Sequence, residues 1–593
     1  MYFPQYTETA KGRDMVTTFG GYNHNLSCPD GEFFDMENMT SKYFPVLSPR
    51  RQRGICRELS NPQGLIEKEG LVWIDNGKMF IDGEEVSLSV DISPEGEKSI
   101  AKMGAYIVVF PDKVWYNTAD NTSGEIEESF STMGEVTFSL CDMSGKAIVW
   151  HDEAYYNDHA PATGDYLMST LNGKSTLKQW SSATSIWVNV NTTYIQMSSV
   201  GIGKDFKKGD GIKVSLYLGD QEWADGKNIF VNEEDGGKIT TNTCIKDVTD
   251  DSITFVGILA ENKALSDVLV IVEREVPDME FVTECGNRLW GCSTDGHEIY
   301  CCKLGDVTNW YAYDGISTDS WAATIGSDGK FTGAITYLGN PIFFKEDCMI
   351  KVIVSSTGAH RTVETYCRGV QKGSHKSLCI VNESLYYKSA DAICAYGGSM
   401  PQTVSNNLGE VRYYDAVSGT IGDEYYISMR TAKGENALFV YDTKKGIWCK
   451  EDDISAIMFC RHGDDLYFID RADRMLKSVC GTLPYDVSEK KMEGRVSWSV
   501  ESGNLGFSTP DNKYVERVNI RLSMEIGATV DFYLQYDSSG EWEHIFNMTG
   551  IATRTFTIPV MPRRCDHYKY KLVGTGECKV FSITKTIAEG SDI

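Results

Sequence analysis

Hydrophobic residues along this chain fall in short bursts of aromatic and branched side chains, each opened by a turn residue and answered, after a polar turn, by a second burst. The pattern recurs seven times. The leading bursts are GLVWI at Gly70, GAYIVV at Gly104, NRLWG at Asn287, NPIFF at Asn340, ESLYY at Glu383, DEYYI at Asp423 and DDLYF at Asp464. The answering bursts start at Met79, Val114, Ile299, Met349, Ala392, Leu438 and Met475. Each pair reads as a β-hairpin, because Tyr, Trp, Phe, Ile and Val fill the bursts while Gly, Asn and Asp fill the connections. Measured on the third residue of each leading burst (Val72, Tyr106, Leu289, Ile342, Leu385, Tyr425, Leu466), the spacings are 34, 183, 53, 43, 40 and 41 residues. A strand-rich period of about 40–50 residues is that of a four-stranded propeller blade. The expected fold is therefore an all-β β-propeller of seven blades, with six to eight compatible. Phe439 to Lys450 has the Tyr-Asp, turn, Gly, Trp layout of a blade end, which places Trp448 as a plug against the neighbouring blade.

The 183-residue step exceeds one period by about 140 residues, enough for a whole inserted domain. In that stretch SIWVNV, TYIQM, GIKVSLYL, NIFV, SITFVGIL and VLVIVERE read as strands, giving a small β-barrel or sandwich. After Gly481 the blade period stops and longer alternating strands begin. Val518, Ile520, Leu522 and Met524 share one face, as do Val530, Phe532, Leu534 and Tyr536, the mark of a half-buried antiparallel sandwich. The expected organisation is an extended arm over 1–64, propeller over 65–123, the insert over 124–280, propeller over 281–485 and a β-sandwich over 490–593. Helical period is nearly absent, and Ser93 to Met103 is its best match.

Charge changes the picture by exclusion. With 57 Lys+Arg against 84 Asp+Glu in 593 residues, the net charge is −27. That balance opposes sequence-independent binding to duplex DNA, which relies on cations displacing counterions at phosphates, and opposes docking on anionic membrane. The longest apolar runs, Tyr106 to Phe110 and Val268 to Val272, are far short of the roughly 20 residues a membrane helix needs. No apolar segment follows a basic start at the N-terminus, so synthesis in a cytosol is the default expectation. The 17 Cys are odd in number, scattered and without a CxxC pair, which reads as buried free thiols.

Chemistry-bearing motifs are absent: no GxxxxGK[ST], no HExxH, no GxSxG, no complete GxGxxG. His151 and His159 flank Asp152, Glu153 and Asp158 in HDEAYYNDH, but on a strand residues eight apart lie some 26 Å apart, so a polar loop is the favoured reading over a metal site. Asp250-Asp251, Asn232-Glu233-Glu234-Asp235 and Asp452-Asp453 cluster oxygens without the twelve-residue calcium loop. A glycosidase needs two carboxylates at a fixed separation in space, which a sequence does not display. Two basic spots, Pro49-Arg50-Arg51-Gln52-Arg53 and Pro562-Arg563-Arg564, read either as docking surfaces or as partners of local carboxylates. The expected site list is empty: no catalytic, cofactor-binding or metal residue, and no cofactor.

The opening GGYNHNLSCPDGEFFDMENMTSKYFPVLSPRRQRG, Gly20 to Gly54, resembles the N-terminal arm of structural proteins of tailed bacteriophages. Glu284 to Asp347 and the closing Pro562 to Ser591 are similar to the same group. The resemblance is to the tail nozzle, or tail tubular protein B-like (muzzle-like), propeller proteins; it covers the arm, most blades and the sandwich, but not the insert. It implies a structural, non-enzymatic virion protein of the phage tail, made in the host cytoplasm. The implied assembly is a homo-oligomeric ring that passes DNA during ejection without binding it specifically. Its implied partners are the portal, adaptor and fibre proteins, with no membrane anchor. A bore lined with carboxylates suits such a conduit, and a strand of the arm is expected to complete the last blade. The alternatives are a glycan-binding host-recognition protein and a propeller polysaccharide hydrolase.

Overall fold

Each leading burst becomes the second strand of an antiparallel sheet, and seven such sheets, six of four strands and one of five, follow one another around an axis. The computed structural model describes residues 11–171, 174–219, 221–234, 237–482, 491–507 and 511–589. It is 52% strand and 3% helix. The fold is a seven-bladed β-propeller with an inserted β-domain and a C-terminal β-sandwich. The first strands of blades 1 to 7 are Pro62–Glu67, Ser99–Met103, Met279–Glu284, Gly333–Tyr337, Cys379–Val381, Tyr413–Ile421 and Ala456–His462. They face the axis and meet one another, with blade 7 touching blade 1, so the ring is closed. Ser99–Met103 corrects the helical expectation for Ser93 to Met103: Ala101 and Met103 are buried between blades, and strand pairing with Tyr106–Phe110 overrides local propensity.

Blade 7 contributes three strands from its own stretch, its fourth strand comes from the other end of the chain, and Lys491–Met492 pairs with that strand at the edge. Gly54–Glu58 pairs antiparallel with Met475–Ser478, setting Gly54 opposite Ser478 and Glu58 opposite Met475. Closing the ring with a strand about 420 residues away in sequence ties the two halves of the propeller to each other.

The arm also belongs to the sandwich. Lys11–Val16 adds to the edge of Cys578–Glu589 in one sheet, and Glu32–Glu37 pairs with Ser497–Ser502 in the other. The faces expected from alternation hold: Val518, Ile520, Leu522 and Met524 are buried, as are Val530, Phe532, Leu534 and Tyr536. One continuous core joins arm residues such as Phe19, Phe33 and Met36 to blade residues Tyr425, Phe439 and Trp448 and to the sandwich. Trp448 is 1% exposed, stacks on Tyr441 at 4.7 Å and donates its indole N–H to the Val404 carbonyl of blade 5 at 2.8 Å.

The insert leaves blade 2 and returns to blade 3. It is a sandwich, not a barrel: of its three sheets, two of five strands pack over Phe138, Val214, Phe255 and Val272, and one of four strands, Trp150–His151 to Ile186–Asn189, covers Leu140, Met168 and Leu177. NIFV, expected as a strand, is instead reached by the short helix Gly226–Ile229, whose Ile229 fills that core beside Trp223 and Phe230. A buried Arg274–Asp210 ion pair at 2.8 Å lies within the insert, and Asn309 of blade 3, whose side chain takes the Gly211 N–H at 3.1 Å and donates to the Gly209 carbonyl at 2.7 Å, docks the insert on that blade. The stretch 483–490 between blade 7 and the sandwich lies outside the described residues.

Candidate functional site at the propeller axis

The inner strands of a propeller turn alternate side chains toward the axis, so residues far apart in sequence converge there. Leu65, Ile100, Phe281, Val417, Met458 and Phe459, from blades 1, 2, 3, 6 and 7, wall an axial cavity of about 610 Å³. A second cavity of about 500 Å³ lies toward blades 5 to 7, where Asp415, Arg430 and Arg471 line it. Glu97, His375 and Lys376 belong to both and form the waist between them.

That waist is built from opposite sides of the ring. Glu97 sits in the bend before blade 2, and His375 and Lys376 on the 3₁₀ turn His375–Ser377 before blade 5. The Lys376 Nζ lies 2.6 Å from Glu97 Oε1 and donates to the Ile457 carbonyl of blade 7 at 2.8 Å. The His375 ring packs against Phe281 of blade 3 at 5.1 Å, with its Nε2 3.9 Å from Glu97. Burial pushes the Glu97 carboxyl up, but the His375 and Lys376 contacts outweigh it and leave the group below its ordinary value. Lys376 moves down instead, first because burial penalises its charge, with Glu97 opposing and Arg471 acting in the same direction as burial. The asymmetry follows exposure: 19% for the Lys376 side chain against 48% for Glu97.

The sequence-flagged residues do not gather here. His151 and His159 stack on the two faces of Tyr155, at 3.7 and 4.2 Å, because Glu153–Asp158 is a helix capped by Asp152. This corrects the loop reading: a turn and a half of helix brings the two imidazoles onto one ring. Among the described residues no group of three or more His, Cys, Asp or Glu is arranged to hold a metal ion. Asp251 accepts the Gly201 N–H at 2.7 Å, Asp452 is taken by two arginines, and Asp235 lies outside the described residues. The first basic spot is a structural link. Arg50 grips Glu493 in a two-pronged pair at 2.7 and 2.8 Å, and Arg53 bridges Glu451 and Asp452. In the second spot Arg563 pairs with Glu543 at 2.7 Å. The 17 cysteines are free thiols, with Cys480 the exposed one. Glu97, Lys376 and Arg471 carried no sequence signal of their own; only the angular positions of the blades bring them together.

No family model matches the chain, and no curated protein matches it. Among solved structures it is similar to an exo-beta-1,3-galactanase from Phanerochaete chrysosporium, at 9% identity over 49% of this chain and 92% of that one, TM-score 0.21. It is also similar to the WD40 domain of SCAP from fission yeast, at 7% identity over 94% and 99%, TM-score 0.22. A third is a mutant Trypanosoma rangeli sialidase displaying trans-sialidase activity, at 9% identity over 78% and 95%, TM-score 0.20. Likeness at this level assigns no activity. The expectation that the chain is not an enzyme is withdrawn: the similar structures include a galactanase and a sialidase, whose activities do not carry over to this chain. The empty motif search behind that expectation reads contiguous strings, whereas a propeller axis collects groups such as Glu97, Glu280 and Asp415 from separate blades.

Proposed function

We propose that the chain is a structural subunit of a bacteriophage tail, forming with copies of itself the nozzle or tube-end ring through which DNA is ejected. The observation that carries this reading is the path of the arm. The Gly20 to Gly54 string that resembles phage tail arms runs from the sandwich to blade 7, and the closing string supplies the strand Cys578–Glu589 that receives Lys11–Val16. Leu47 bridges to Val580, and Asp30 pairs with Lys585. The first and last segments that carry the resemblance are thus one mechanical unit, which locks propeller to sandwich in a shared core. A conduit under load needs that rigidity.

The waist at Glu97 and Lys376 crosses the propeller's own axis, and cavities of about 500 to 610 Å³ have the size of small-molecule sites. In this reading the DNA passage lies between copies of the chain, and the −27 net charge repels phosphate along it. Portal, adaptor and fibre proteins are the neighbours it implies, in the virion.

The test is projection imaging of intact virions labelled on this protein. A labelled ring on the tail axis is expected. Label on peripheral fibres, or its absence from particles, overturns the reading.

A further inference from the structure

The cavity of about 500 Å³ between blades 5, 6 and 7 reverses the charge balance of the chain. The protein has 84 acids to 57 bases, yet this cavity gathers Lys376, Arg430 and Arg471 against Glu97 and Asp415. The two carboxylates are already committed: Glu97 to Lys376 at 2.6 Å and Asp415 to Arg430 at 2.6 Å. Arg471 is left over. It follows the second strand of blade 7, its backbone N–H is held by the Ser455 carbonyl at 2.8 Å, and its guanidinium has no ion-pair or hydrogen-bond partner among the described residues.

Lys376 and the solvent-exposed Arg471 therefore face one half-open cavity, in which Glu97 is paired to Lys376 and Asp415 to Arg430. The repulsion between Lys376 and Arg471 shows in Lys376, where Arg471 adds to burial in disfavouring the ammonium. A bound anion relieves that repulsion and satisfies the open donors of Arg471. A guanidinium fork matches two oxygens of a carboxylate or a phosphate, and an ammonium adds a point charge. The volume lies within the roughly 300–1,000 Å³ of small-ligand sites, and the cavity beyond the waist, where Phe281 and Phe459 stand beside Glu280 and Ser418, extends it.

We propose that this axial cavity is a binding site for a small oxyanion, carboxylate or phosphate, held by Arg471 and Lys376 on the blade 5 to 7 side of the waist. The site goes beyond the tail-ring reading and stands whether or not that reading holds.

The test is calorimetric titration of the full-length protein with D-glucuronate and, separately, with inorganic phosphate at low ionic strength. Saturable binding of one equivalent is expected with at least one of the two, and which one binds identifies the source of the oxyanion. Arg471→Gln should weaken it at least about tenfold with an unchanged unfolding midpoint, because Arg471 contributes no contact to the fold, and Arg471→Lys should recover part of the loss. No saturable binding of either anion to the parent protein overturns the proposal. So does binding that survives Arg471→Gln unaltered.

Discussion

The Arg53 guanidinium donates to the Asp452 carboxylate at 2.6 Å and to Glu451 beside it, joining the N-terminal arm to the turn that leaves blade 6. Arg53 is 3% exposed and Glu451 4%. Removing one member of such a group strands the others without a partner in low dielectric. Arg53→Met should therefore cost about 3–5 kcal/mol in urea unfolding, and adding Glu451→Leu should return part of it. A loss under about 1 kcal/mol for the single variant shows that the arm is not anchored by this group.

Gly21 marks a second anchor. Its φ is +85°, and a Cβ there overlaps the Trp448 carbonyl oxygen and the Ile447 side chain. Gly21→Ala should destabilise by about 1–3 kcal/mol through backbone strain and displacement of the arm. The same substitution at Gly422, where φ is +57° but nothing lies within 4 Å, separates the two causes. Equal losses at both sites mean that the close approach adds nothing.

Trp448 fills the joint between blades 5 and 6 and donates to Val404 at 2.8 Å. Trp448→Ala should lower unfolding stability by about 3–5 kcal/mol, as for large buried aromatics. A change under 1 kcal/mol removes Trp448 from the role of plug.

Glu424, at the start of blade 6's second strand, has its carboxyl pushed up to about 7, first by burial and then by the nearby Glu451. The folded chain thus holds a proton there over a range in which the unfolded chain, near pKa 4.3, has lost it. The stabilising contribution of the protonated group is present at acid pH and is lost as pH rises between roughly 4 and 7. Glu424→Gln, which keeps an acceptor for the Tyr426 hydroxyl at 3.1 Å, should flatten that decline. At pH 8 it should be the more stable protein by on the order of 1–3 kcal/mol, and near pH 4 the two should match. Parallel stability curves for parent and variant across this range contradict the shift.

The hairpins at Val72, Tyr106, Leu289, Ile342, Leu385, Tyr425 and Leu466 were readable because the second strand of each blade is buried on both faces, which writes a continuous apolar burst into the sequence, and the third strand answers it with apolar residues that alternate in several blades. The first and fourth strands left a weaker mark. Cys379–Val381 borders the axis and mixes exposed and buried positions, and Arg361–Tyr366 at the rim has exposed and half-buried positions. NIFV, Asn228 to Val231, was misread because Ile229, Phe230 and Val231 in a row suit either a strand or the end of a helical turn.

Sequence by itself determined the strand content, the period near 40 residues, the place of the long insert and the two alternating faces of the terminal sandwich. Those properties follow from burial that repeats locally along the chain. Only the tertiary structure decided that the arm strand expected to complete the last blade is Gly54–Glu58, that Arg50 and Arg53 are internal links, and that Glu97 meets Lys376 across the axis while Arg471 is left unpaired among the described residues. Each of these joins residues tens to hundreds of positions apart. Their meeting is set by how seven sheets pack around one axis, and no local pattern of hydrophobic and polar residues encodes that angle.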